Sequence, residues 1–109
     1  MNITALLELT IQRNASDLHL SVGYPPILRI HGELIPVPGE SPSTLEQLES
    51  LISPLLTEMQ KNLYRQNFEL DFSFEFDGKA RFRVNIYRQK GFSSASLRLI
   101  PFRIPPLDE

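Results

Sequence analysis

The sequence predicts an α+β domain, an antiparallel sheet with helices packed on one face, and two patterns carry that expectation. Residues 70–100, LDFSFEFDGKARFRVNIYRQKGFSSASLRLI, alternate apolar and polar residues through three successive runs, the period of half-buried strands. Ahead of them lie segments with apolar residues at helical spacing and, after the first of these, short alternating runs. Helix, strands, two helices and then a three-stranded meander is the order of an α+β domain rather than of βαβ units.

The meander can be registered from its faces. Leu70, Phe72, Phe74 and Phe76 share one side of the first run, and Ala80, Phe82, Val84 and Ile86 one side of the second. A two-residue turn at Asp77-Gly78 would set Phe74 opposite Arg81 and Phe72 opposite Arg83. That mixes core and solvent faces, because residues directly opposite lie on the same side of the sheet. A three-residue loop, Phe76-Asp77-Gly78 with Gly78 in the left-handed position of a bulge, restores parity. It pairs Phe72 with Phe82, Phe74 with Ala80, Asp71 with Arg83 and Glu75 with Lys79. A four-residue loop over Arg88 to Gly91 then pairs Val84 with Ala95, Phe82 with Leu97, Arg83 with Ser96 and Arg81 with Arg98. One face becomes the core, and the other gathers Arg81, Arg83 and Arg98 beside Asp71 and Glu75. Like charges directly opposite repel, so acids, solvent or an anionic partner must relieve the arginines. From the residues alone, this face is either an ordinary solvated, salt-bridged surface or an anion-binding one.

Composition narrows the classes. A chain of 109 residues holds one core, and its hydrophobic share of 41% and charged share of 22% are ordinary for a globular protein. A net charge of -2 argues against a nucleic-acid-binding surface. The chain has no cysteine, which excludes a disulfide scaffold and thiolate chemistry. With no signal peptide or long apolar run, it is expected in the cytoplasm.

Taken in order, Ile3, Leu6, Leu7 and Ile11 predict a helix from Asn2 to about Arg13, capped by Asn2 and ending near Asn14. Asp17 to Ser21 predicts a short strand, with Leu18, Leu20 and Val22 on one side and Asp17 and His19 on the other. Residues 27–37 predict a hairpin around His31-Gly32, ended by Pro36 and Pro38. Ser43 or Thr44 caps a second helix carrying Leu45, Leu48, Leu51 and Ile52, which Pro54 stops. A third, from about Thr57 to Gln66, is expected to turn Met59, Leu63 and Tyr64 inward. The closing PFRIPPLDE has three prolines and no periodicity, so 1–100 reads as the domain and 101–109 as a stiff linker.

Few residues offer catalysis. Asp17 and His19, with His31 and Glu33, could be imagined as a metal site, but no cysteine and no H-E-x-x-H pattern supports one. A structural, hydrogen-bonding role is expected instead, and no metal. Ser16, Asp17 and His19 are too close in sequence to form a triad. With no G-x-x-x-x-G-K-[ST] motif and only five glycines, the chain cannot cradle a nucleotide triphosphate by itself and is not expected to be an enzyme alone. Arginines on a rigid strand are nonetheless the group type that stabilises a transferring phosphoryl held by another domain.

ASDLHLSVGYPPILRIHGEL, ARFRVNIYRQKG and SLRLIPFRIPPLDE together resemble the N-terminal region of the PilT-type twitching-motility ATPases, the type IV pilus retraction motors of the secretion ATPase superfamily. The resemblance covers essentially the whole chain. It implies a PAS-like N-terminal domain followed by a RecA-like domain with the Walker motifs, assembled as a homohexamer. The implied role is regulatory and assembly work in a retraction motor. Arg83 of RFRVN and Arg98 of LRLIP match arginines that reach ATP phosphates, and Arg81 is a third candidate. ATP and Mg would then be cofactors of the longer protein and not of this chain. Its partners would be its own and neighbouring RecA-like domains and the pilus platform protein of the inner membrane, with no nucleic acid, and its place the cytoplasmic side of that membrane. The alternative is a free-standing PAS-like module that senses a small molecule.

Overall fold

The computed structural model describes residues 2–89 and 92–101. Helix α1 (Ile3–Gln12) starts where the Ala5 N–H donates to Asn2 Oδ1 at 2.8 Å, closing an otherwise unsatisfied first turn. Its buried stripe is Ile3, Leu6, Leu7 and Thr10, and Asn14 ends it at φ 56°, a conformation asparagine tolerates. Strands β1 (Asp17–Ser21), β2 (Ile27–Ile30) and β3 (Glu33–Pro36) follow, and β2 turns into β3 at His31-Gly32, both at positive φ. Helices α2 (Leu45–Ile52) and α3 (Glu58–Asn67) each open on a reciprocal capping box, Thr44 with Gln47 and Thr57 with Gln60. Between them Pro54 sits in a single 3₁₀ turn, Ser53–Leu55. Strands β4 (Glu69–Phe76), β5 (Ala80–Gln89) and β6 (Phe92–Pro101) complete the sheet.

The expected α+β architecture is present: three α-helices and a six-stranded antiparallel sheet in the order β3-β2-β1-β6-β5-β4. The first strand therefore lies beside the last, joining the N-terminal hairpin to the meander. Core residues line up in cross-strand rows. Leu28, Leu18, Leu97, Val84 and Phe72 form one, and Leu20, Ala95, Ile86 and Leu70 the next. Leu6 and Leu7 of α1, Leu48 and Ile52 of α2 and Tyr64 of α3 complete the same buried cluster, so the helices cover this face. The other face is left to the polar side chains.

Face parity holds in both meander hairpins, but each register is displaced by two residues. In the first, Phe76 pairs with Ala80, Phe74 with Phe82, Ser73 with Arg83 and Glu75 with Arg81. Phe76 is not in the turn; it extends β4 and is buried. Asp77 and Gly78, at φ 48° and 65°, form the tight turn, with the Lys79 N–H donating to Phe76 O at 2.8 Å. Lys79 is thus the extra residue, and its ammonium reaches Glu8 of α1 at 2.7 Å, a hydrogen bond that raises the lysine pKa. The two-residue turn and the bulge, treated as alternatives in the sequence, occur together.

In the second hairpin the ladder runs on to Gln89 and Phe92, so Phe82 meets Leu99, Val84 meets Leu97 and Arg83, not Arg81, meets Arg98. Lys90 and Gly91 of the expected loop, and 102–109 of the expected linker, lie outside the described residues. A shift of two preserves faces, which is why the core assignment survived a wrong partner list. Helix α3 also departs from expectation: Tyr64 is buried, but Met59 is 72% exposed and Leu63 41%. So few apolar residues do not fix a helix's rotation. The Tyr64 hydroxyl, 2.6 Å from Ser93 Oγ, anchors it instead.

Phe82 is fully buried and stacks on Phe74 at a centroid distance of 5.7 Å, so Phe82→Ala is expected to cost about 3–5 kcal/mol by denaturant unfolding. Burial raises the Tyr64 pKa, against the lowering effect of the Ser93 hydrogen bond. A phenol raised on folding favours the native state below its unfolded pKa of about 10, and that contribution is lost as pH rises through the folded value. Tyr64→Phe is therefore expected to lose about 1 kcal/mol at neutral pH and to show a shallower fall in stability above about pH 10 than the wild type.

Candidate functional site

The outer face is organised by one cross-strand row. Arg29 of β2 lies opposite Asp17 of β1, Asp17 opposite Arg98 of β6, Arg98 opposite Arg83 of β5, and Arg83 opposite Ser73 of β4. The next row holds His19, Ser96, Asn85 and Asp71. All of these but Ser73 line an open cleft of about 350 Å³. Its arginines outnumber its carboxylates by one, on a chain whose net charge is -2.

Asp17 is the fixed charge of the site. Its residue is 7% exposed, Ser16 Oγ donates to its Oδ2 at 2.7 Å, and Arg98 Nε donates to its Oδ1 at 3.5 Å. Ser16 is itself pinned, its N–H donating to Arg29 O and its carbonyl accepting from the Leu99 N–H. The acid is therefore held by the backbone between strands, while the Arg98 side chain above it is 70% exposed. Arg83 donates to Asp71 at 3.5 Å with both side chains largely in solvent, a pair worth at most about 1 kcal/mol.

Each arginine of the opposed pair is thus tied to a different acid, Arg98 to Asp17 and Arg83 to Asp71. No carboxylate stands between the two guanidinium groups in the row. Such a pair repels, and an anion seated between the forks would relieve it with charge-assisted hydrogen bonds. The cleft holds one hydroxyl beside an imidazole, Ser96 Oγ 3.3 Å from His19 Nδ1, but its prevailing feature is the surplus of arginine over carboxylate. Among the described residues, no three His, Cys, Asp or Glu side chains gather closely enough to hold a metal. Three arginines against two carboxylates suit such a face to receive negative charge.

Of the arginines named from sequence, Arg83 and Arg98 come together. Arg81 is on the same face one pair further along, opposite Glu75 and Ile100, outside this cleft. Asp17 and His19 were expected in structural hydrogen bonds to nearby backbone. They bond instead to side chains, Asp17 to Ser16 and Arg98, and His19 Nδ1 lies 3.3 Å from Ser96 Oγ. Arg29 was missed. Only the pairing of β1 with β6 brings it to the arginine face, and local alternation carries no signal for that pairing.

No protein-family model matches the chain. The type IV pilus retraction ATPase PilT of Pseudomonas aeruginosa is 39% identical over 109 residues, covering 100% of this chain and 31% of that protein. The type IV pilus ATPase PilU of the same organism is 31% identical, covering 100% of this chain and 28% of PilU. A crystal structure of the pilus retraction motor PilT with bound ADP superposes with a TM-score of 0.87 at 31% identity, over 96% of this chain and 31% of that one. The Legionella pneumophila ATPase DotB shares the fold, with a TM-score of 0.74 at 24% identity over 97% of this chain and 31% of its own. The similarity extends over the whole chain, and the backbone follows that of the PilT N-terminal region. The chain is a homologue, over its full length, of the twitching-motility ATPases PilT and PilU, and it spans about 30% of their length.

Proposed function

We propose that residues 1–100 form the N-terminal regulatory and assembly domain of a hexameric type IV pilus retraction ATPase, joined through 101–109 to a RecA-like domain. In this reading ATP and Mg are held by the RecA-like domain, on which this sheet docks. Arg83 and Arg98 then direct their guanidinium forks at the ATP phosphates, with Arg81 in a secondary position beside them. The observation that carries the proposal is the direct opposition of Arg83 and Arg98 across the ladder, each tied to its own acid and neither to an acid shared with the other. ADP bound to the PilT motor makes a nucleotide phosphate the first candidate for an anion that bridges them. Closure over ATP would relieve the arginine repulsion, and hydrolysis would restore it. The docking equilibrium would thereby be coupled to the nucleotide state and, through the motor's platform partner at the inner membrane, to pilus retraction.

The test is kinetic. In the full-length motor, Arg83→Ala and Arg98→Ala are each expected to lower ATP turnover on the order of a hundredfold or more, with poor rescue by lysine, whose ammonium cannot reproduce the planar fork. Rates within about threefold of wild type for both would leave these residues as ordinary surface charges. The two variants are expected to differ in stability. Arg83→Ala should change it by no more than about 0.5 kcal/mol, because its pair is exposed. Arg98→Ala should cost about 1–3 kcal/mol, because it strips a buried carboxylate of its charged partner.

The 109-residue chain alone offers arginines and no phosphate loop. Calorimetric titration of it with Mg-ATP is expected to be flat at micromolar concentrations. A dissociation constant below about 10 μM would demand roughly 7 kcal/mol of contacts that this face does not contain.

A further inference from the structure

A second cleft lies on the opposite side of the molecule, between the end of α2, the 3₁₀ turn and α3, and nothing in the arginine site uses it. Its apolar lining comes from Ile52, Leu56, Tyr64 and Phe68, and its volume is about 240 Å³. An apolar cavity of about 150 Å³ accommodates a benzene ring, so this one has room for a ring and a small head group. Lys61, Arg65 and Arg88 also line it, against a single acid, Glu49. Two of the three cations are paired with carboxylates, and Arg65 is not. Glu49 stands 3.8 Å from Arg88, Lys61 pairs at 3.5 Å with Glu58, which is outside the cleft, and Arg65 donates to the neutral Asn62. An acidic chain thus carries a basic pocket with an apolar floor.

Phe68 gives the second, independent observation. Four non-glycine residues among those described have positive φ: Asn14, His31, Phe68 and Asp77. Asn, His and Asp are the types enriched there, and phenylalanine is not. Phe68 caps α3 in the left-handed conformation, φ 58° and ψ 22°, where helices commonly place glycine because a β-carbon is strained. Core packing does not explain the choice, since the residue is 51% exposed. Its strained backbone is held by two hydrogen bonds, its N–H donating to Tyr64 O and its carbonyl accepting from the Arg88 N–H, both at 2.8 Å. The result is an aromatic residue with an anchored backbone, lining a pocket that Arg88 and Arg65 also line.

We infer that this cleft binds a small amphipathic anion, an aromatic or short alkyl group carrying one carboxylate or phosphate. The apolar part packs on Ile52, Leu56 and the Phe68 ring, and the head group is received by Arg65, Arg88 and Lys61. The site is separate from the arginine row, so it stands or falls independently of the ATPase reading.

The experiment is an amide NMR titration of the 109-residue chain with phenylacetate and with phenyl phosphate, using benzyl alcohol and inorganic phosphate as the ring-only and head-only probes. The expected result is saturable shifts at Lys61, Arg65, Phe68 and Arg88 with at least one anion, at least about tenfold tighter than either single-part probe. Saturation by phenylacetate alone assigns a carboxylate head group, and saturation by phenyl phosphate alone a phosphate. Arg65→Ala with Arg88→Ala should weaken binding at least about tenfold. Phe68→Gly should weaken it about tenfold while leaving the melting temperature equal to or above wild type, separating a binding role from a structural one. The inference is overturned by any of three results: no saturable shift at these amides up to about 10 mM of either anion, equal affinity for inorganic phosphate, or unchanged affinity in Phe68→Gly.

Discussion

The antiparallel pairing of β1 with β6 is the constraint on which the rest depends. It joins residues 17–21 to residues 94–98, far apart in sequence, and turns a hairpin and a meander into one sheet. On the inner face it places Leu18 against Leu97 and Leu20 against Ala95, all four nearly inaccessible to solvent. On the outer face the same ladder sets Asp17 against Arg98. Closing so long a loop costs entropy that grows only slowly with length, and the continuous apolar rows offset it. The polar site is thus a by-product of register: whatever fixes the core pairing fixes the Asp17 to Arg98 contact with it.

The electrostatics of the two clefts differ in kind. In the arginine row, a buried acid held by Ser16 supplies a fixed negative charge, and the exposed Arg98 side chain is oriented against it. The opposed Arg83 has a solvated partner, so the two arginines, themselves equally exposed, differ in the burial of the acid each one meets. Such an arrangement suits a ligand brought in by another domain. The α2/α3 cleft instead couples charge to an apolar floor and to a strained aromatic residue. That combination favours a ligand with a body as well as a head group.

Much of this was legible in the chain. Period-two alternation in 70–100 gave the meander faces, and Asn2, Thr44 and Pro54 marked helix boundaries that the structure keeps. Local pattern fixes which side a residue faces but not which residue it meets. A shift of two leaves every face intact, so Phe76 could be assigned to a turn it does not occupy and Arg81 to a partner that belongs to Arg83. The remaining misses are non-local. Arg29 reaches the site only through β1, and Met59 and Leu63 were turned outward by a tyrosine hydroxyl whose partner, Ser93, lies beyond the whole third helix and two strands. The resemblance to the pilus motors named Arg83 and Arg98, but only the sheet shows that they oppose one another across it.

In the proposed motor, Arg83 and Arg98 are a pair that a nucleotide phosphate would bridge. The most direct measurement is a crystal or cryo-electron-microscopy structure of the full-length motor with Mg and a non-hydrolysable ATP analogue. The expected result is both guanidinium groups about 2.7–3 Å from oxygens of the terminal phosphates, with Arg98 still in contact with Asp17. A nucleotide-occupied ring in which both arginines face open solvent, or are neutralised by protein carboxylates, would rule out a phosphate-binding role for the pair.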